Sequence, residues 1–98
     1  MGAEAFSDKA AGKTAKEAFD SAVTQAGWDY GHRGYTGSIA EKQTFVMIEI
    51  PNGVCESADE YADRLINEGD SRIDDKWGPA GCIDLKDGTF LFFGWASS

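Results

Sequence analysis

One pattern occurs twice in the chain, and it limits the possible folds more than any other feature. Thr14-Ala15-Lys16-Glu17 and Ser57-Ala58-Asp59-Glu60 both have the form of a helix capping box. After the first, Ala15, Ala18, Phe19, Ala22, Val23 and Ala26 recur at helical spacing, and Gly27 follows as a stop. After the second, Ala58, Tyr61, Ala62, Leu65 and Ile66 do the same before Gly69. Each helix then leads into Gly-x-x-Gly-x-Ile-x-x-Lys, over 34–42 and 78–86, a turn, and a Thr-Phe apolar run over 44–50 and 89–95. Asp87-Gly88 reads as a two-residue type I′ hairpin turn, which needs positive φ at both centres.

The pattern predicts a single α+β domain over 14–98, made of two αββ units at 14–50 and 57–95. Residues 51–56 link the units, with Pro51-Asn52-Gly53 as the break, and 1–13 form an N-terminal arm. Two such units suggest a four-stranded antiparallel sheet with both helices on one face. That order resembles a permuted ferredoxin-like fold. With 98 residues and 42% hydrophobic content, the chain can bury a core of its own.

Side chains alternate across a strand. Val46, Ile48, Ile50, Leu91, Phe93 and Trp95, with Ile39 and Ile83, are therefore assigned to the helix-covered face. Phe45, Met47, Phe90 and Phe92 fall on the other face, which no helix is left to cover. An apolar patch of that kind points to a partner surface, and homodimerisation through it is the expectation. The alternative cover is the arm, with Phe6 folded over the sheet.

Charge narrows the function. Seventeen acids stand against nine bases, a net charge of −8. That opposes direct binding to nucleic acid or an anionic membrane. Few bases, Lys42 and Lys86 among them, border the exposed aromatics, so stacking of single-stranded bases is disfavoured. No apolar run is long enough to cross a bilayer. Met1–Phe6 lacks the basic start and apolar core of a secretory signal, and the two cysteines are too few for a disulfide scaffold. A cytoplasmic chain with reduced thiols is expected.

Acids crowd the second helix and the segment after it: Glu56, Asp59, Glu60, Asp63, Glu68, Asp70, Asp74 and Asp75, against Arg64 and Arg72. Asp59 and Asp63 repel one turn apart, while Glu60 and Arg64 are spaced to pair. Asp59, Glu60 and Asp63 are the residues expected to dock on a basic protein partner. If that partner handles nucleic acid, charge mimicry would inhibit it, as small acidic phage-type inhibitors do. The plainer reading is a solvated helix face.

A competing site lies at the glycine-rich segments Gly31–Gly37 and Asp75–Gly81. His32, Arg33, Tyr35, Lys76 and Trp77 would line a small anionic-ligand or enzymatic site there, with Glu41 or Asp75 as acid–base partners of His32. Alternatively, these glycines only permit tight packing where strands begin. A third reading is a structural subunit of an assembly. No strong catalytic motif is present, so an enzyme is not the leading expectation. Ser7–Thr14 resembles the tail of a P-loop but lacks the first glycine and a preceding strand. Cys55, Cys82 and His32 have no metal-ligand spacing, so neither metal nor cofactor is expected. Cys82, assigned to the uncovered face, is a candidate reactive or interface thiol.

Overall fold

The hydroxyl cap forms at the start of both helices. The Glu17 amide donates to Thr14 Oγ1 at 3.2 Å, and Glu17 Oε2 accepts from the Lys13 amide at 3.2 Å. The Glu60 amide donates to Ser57 Oγ at 3.2 Å. A computed structural model of the chain describes residues 3–30, 39, 42–51, 53, 57–75 and 78–97. Its elements are β1 (Ala3–Ala11), α1 (Ala15–Tyr30), β2 (Phe45–Met47), α2 (Ala58–Glu68), β3 (Ala80–Asp84) and β4 (Thr89–Ser97). The fold is α+β, with two helices and one four-stranded sheet. α2 stops at Gly69, whose φ of 69° is left-handed; its amide and that of Asp70 bond back to Ile66 and Leu65. α1 instead runs through Gly27, the expected stop, to Tyr30.

The sheet order is β1-β4-β3-β2. β4 pairs antiparallel with β1 and with β3, but β2 pairs parallel with β3. The sheet is therefore mixed, where an antiparallel one was expected. The expected arm is in fact β1, an edge strand in nine-residue register with β4, from Ala3↔Ser97 to Ala11↔Thr89. Of the segment 34–42, expected to hold the first strand of the first unit, only Ile39 and Lys42 are described, and neither is in a strand. The remainder of that expectation lies outside the described residues.

The helices lie on opposite faces, which corrects the one-face arrangement. α1 buries Ala18, Phe19, Ala22 and Ala26 against Phe6, Cys82, Phe90 and Phe92. α2 buries Tyr61, Ala62, Leu65 and Ile66 against Ile83, Leu91 and Phe93. The connectivity explains this. β1-α1-β2 and β2-α2-β3 both join parallel strands, and they travel in opposite directions across the sheet. Crossovers of one hand that move in opposite directions must place their helices on opposite faces.

Two glycines adapt β3 and β4 to this double packing. A Cβ on Gly81 would sit 2.7 Å from Cζ of Phe93, so the bare backbone makes room for that ring. Gly94 has φ of 147° within β4, a conformation L side chains rarely adopt, and faces Phe6 and Ile73. The β3–β4 connection is not the expected type I′ turn. Positive φ occurs at Lys86 and Gly88, and the Asp84 and Asp87 carboxylates cap it by accepting from the amides of Lys86 and Thr89. The Thr89 hydroxyl donates to Asp87 as well.

Candidate functional site

α2 turns its apolar side inward and exposes Asp59, Glu60, Asp63, Arg64 and Glu68. The described cations near this surface, Lys9, Arg64 and Arg72, are engaged by the protein itself. Lys9 of β1 reaches Asp59 at 3.2 Å. Arg64 lies over the Tyr61 ring, 5.0 Å from its centroid, in place of the expected pairing with Glu60. Arg72 holds Asp70 through two bonds of 2.9 Å, Nε to Oδ1 and Nη2 to Oδ2. The side-chain and backbone hydrogen bonds from Arg72 lower the Asp70 carboxyl to about 2. Glu60, Asp63, Glu68 and Asp74 are left pointing to solvent without a cationic partner among the described residues.

The expected open apolar face is covered. Phe92 is fully buried and Phe90 nearly so, both under α1. Phe19 of α1 packs on Phe45 at 5.1 Å and on Phe92 at 5.5 Å between ring centroids. Only Met47 of the four stays exposed, at 51%. The alternation of faces along β2 and β4 is as expected, but a helix covers each face, and Ile39, expected beside Ile83, packs in the α1 core instead. Phe90 and Phe92 are core residues and offer no surface for self-association.

Cys82 shares that core. Burial, with a smaller effect of Asp84, pushes its thiol up to about 12. It is a packed core thiol, which corrects the reactive or interface reading. Among the described residues, no group of three or more His, Cys, Asp or Glu is placed to hold a metal ion.

His32, Arg33, Tyr35, Lys76 and Trp77 lie outside the described residues, as do Glu41, Cys55 and Glu56. What is described beside the second glycine segment is a strap. Lys42 is 4% exposed, and its Nζ donates to the carbonyls of Gly78 at 2.9 Å and Asp75 at 3.2 Å. Burial lowers its pKa, and the Asp75 charge opposes that shift. The Ala80 amide bonds the Thr44 carbonyl at 3.0 Å, so the strap sits where β2 and β3 begin to pair. An ammonium bound by carbonyls positions backbone. The sequence repeat conceals this role, because its equivalent, Lys86, is exposed.

Grooves open on the surface of the described residues. One, of about 270 Å³, lies between β1 and α1 and is lined by Asp8, Ala10, Ser21, Ala22, Gln25 and neighbours. Burial raises the Asp8 carboxyl. Another, of about 470 Å³, lies at the β2 edge and is lined by Met47, Ile48, Glu49, Ile50, Ile83, Asp84 and Lys86. Sequence alone did not reveal it. No family model matches the chain, and neither does any curated protein or solved structure.

Proposed function

We propose that this chain is a non-enzymatic protein-interaction module that presents the acidic face of α2 to a basic protein partner. One observation carries the reading. Glu60, Asp63 and Glu68 project from a helix whose apolar side is fully used in the core, while Lys9 and Arg72 are engaged by Asp59 and Asp70 and Arg64 stacks on Tyr61. Glu60, Asp63 and Glu68 thus stand on a rigid support without an ion-pair partner among the described residues. In a chain of net charge −8, such a face raises the rate at which a cationic surface arrives and favours its correct orientation. Where the partner's basic surface is one that holds nucleic acid, the module competes for it by charge mimicry.

The test uses the triple reversal Asp59→Lys, Glu60→Lys, Asp63→Lys, chosen because all three are exposed. Wild type and variant serve as bait for basic proteins at about 0.05 and 0.5 M salt, which spans strong and weak screening. The reading expects capture that falls with salt, disappears in the reversal and is displaced by added duplex DNA. Capture that ignores both salt and charge reversal overturns it. Capture that resists DNA alone removes only the mimicry.

A further inference from the structure

We infer that the groove at the β2 edge takes an extended basic peptide segment, which adds to the sheet beside β3 where β2 departs. This rests on the reading of a basic protein partner and names a second contact for it, away from α2.

The backbone supplies the first reason. β2 pairs with β3 only over Phe45↔Ala80 to Met47↔Cys82, and the last bond on that side is from the Ile48 amide to the Cys82 carbonyl at 2.8 Å. Continuing the ladder would need the Asp84 amide to donate to the Ile48 carbonyl. That bond is missing among the described residues. Asp84 does not turn toward β4 either. Leu85 bonds Thr89 at 3.2 Å, and bonded pairs alternate along an antiparallel ladder, so the Asp84 N–H and C=O point away from β4, to the side where they meet no backbone partner among the described residues. A sheet edge with unpaired N–H and C=O groups is matched by another extended backbone.

The side chains define the sequence of that backbone. Ile83 and Ile50 belong to the α2 side of the sheet, whereas Asp84 and Met47 belong to the α1 side by alternation. Met47 is the exposed large hydrophobic among the described residues. Glu49 and Asp84 outnumber Lys86 on the rim. An added strand would therefore set aliphatic residues beside Ile83 and Ile50, and alternate lysines or arginines beside Asp84 and Met47, where the stem of a basic side chain covers the thioether and its head meets the carboxylate.

The probe is a capped hexapeptide of alternating lysine and valine, titrated into the ¹⁵N-labelled full chain. Saturable shifts are expected at the amides of Met47, Ile50, Ile83 and Asp84. A glutamate–valine peptide, and a lysine–valine peptide N-methylated at alternate amides, should each bind about tenfold more weakly, since one loses the charge match and the other the ladder bonds. Met47→Lys and Glu49→Lys, both at exposed positions, should weaken binding by a similar factor with unchanged circular dichroism. Equal binding of the N-methylated peptide, or no shift at these four amides, overturns the inference. Shifts confined to α2 also overturn it but leave the acidic-face reading standing. Groove binding that persists in the α2 triple reversal supports the inference independently of that reading.

Discussion

At the scale of single residues, Lys42 and Lys86 occupy equivalent places in the repeat but have opposite environments. Lys42→Ala would remove the ammonium donor from the carbonyls of Gly78 and Asp75, the latter still accepting from the Gly78 amide, at a cost of about 2 kcal/mol, whereas Lys86→Ala should stay within about 0.5 kcal/mol. Urea unfolding of the two variants checks the difference. The Asp70–Arg72 pair gives a pH signature. The Asp70 carboxyl falls from its usual 3.8 to about 2 in the folded chain. Its contribution is complete above the unfolded value and is lost as pH falls from about 4 to 2. Arg72→Ala should return the carboxyl toward its usual value, as seen by carbon NMR titration, and flatten that acid limb. Because the pair is exposed, its removal at neutral pH should cost only about 0.5 kcal/mol. Cys82 should be inert in the folded state. In a Cys55→Ser background, a thiol raised from 9.0 to about 12 holds on the order of a thousandfold less thiolate, and disulfide reagents should label it only on unfolding.

Among the elements, the helix starts were legible because capping boxes are local chemistry: a hydroxyl and an amide three residues apart meet whatever surrounds them. Ser57→Ala should cost about 1 kcal/mol, measured by thermal unfolding, through loss of the bond to the Glu60 amide. Stops were less legible. Gly69 ends α2 in a left-handed conformation, while Gly27 is carried within α1, since glycine permits a stop without imposing one. The acidic residues of α2 were readable by the same local logic: helical spacing alone separates Asp59, Glu60 and Asp63 from the buried Tyr61, Ala62, Leu65 and Ile66. The groove was not readable. It exists because β2 leaves β3 after Ile48, an event in the pairing of distant segments.

In the whole molecule, the two-sided sheet makes a sharp prediction. Phe92 and Phe93 are neighbours in β4, fully buried on opposite faces. Phe92→Ala and Phe93→Ala should each destabilise the chain by about 3–5 kcal/mol in denaturant unfolding, a large part of what a domain this size has. A one-sided sheet would make Phe92→Ala nearly neutral, so a small effect would contradict the opposed helices. The three-layer arrangement also explains the run of large apolar residues from Phe90 to Phe93. A strand covered on both faces has no side that needs to be polar.

The sequence by itself determined the two capped helices, the β3–β4 hairpin, the parity of side chains along β2 and β4, and the acidic surface of α2. Each depends on residues a few positions apart, where bond geometry and periodicity suffice. Only the tertiary structure decided that residues 3–11 complete the sheet as a strand, that β2 runs parallel to β3, and that α1 covers Phe90 and Phe92. Those outcomes depend on which distant edges pair and on the shared hand of two crossovers moving in opposite directions. Two αββ-like stretches of similar sequence satisfy the same local rules whether their helices share a face or not. The buried position of Lys42 follows the same division: its type and spacing were visible, but the carbonyls that bind it come from residues 75 and 78, brought close only by the pairing of β2 with β3.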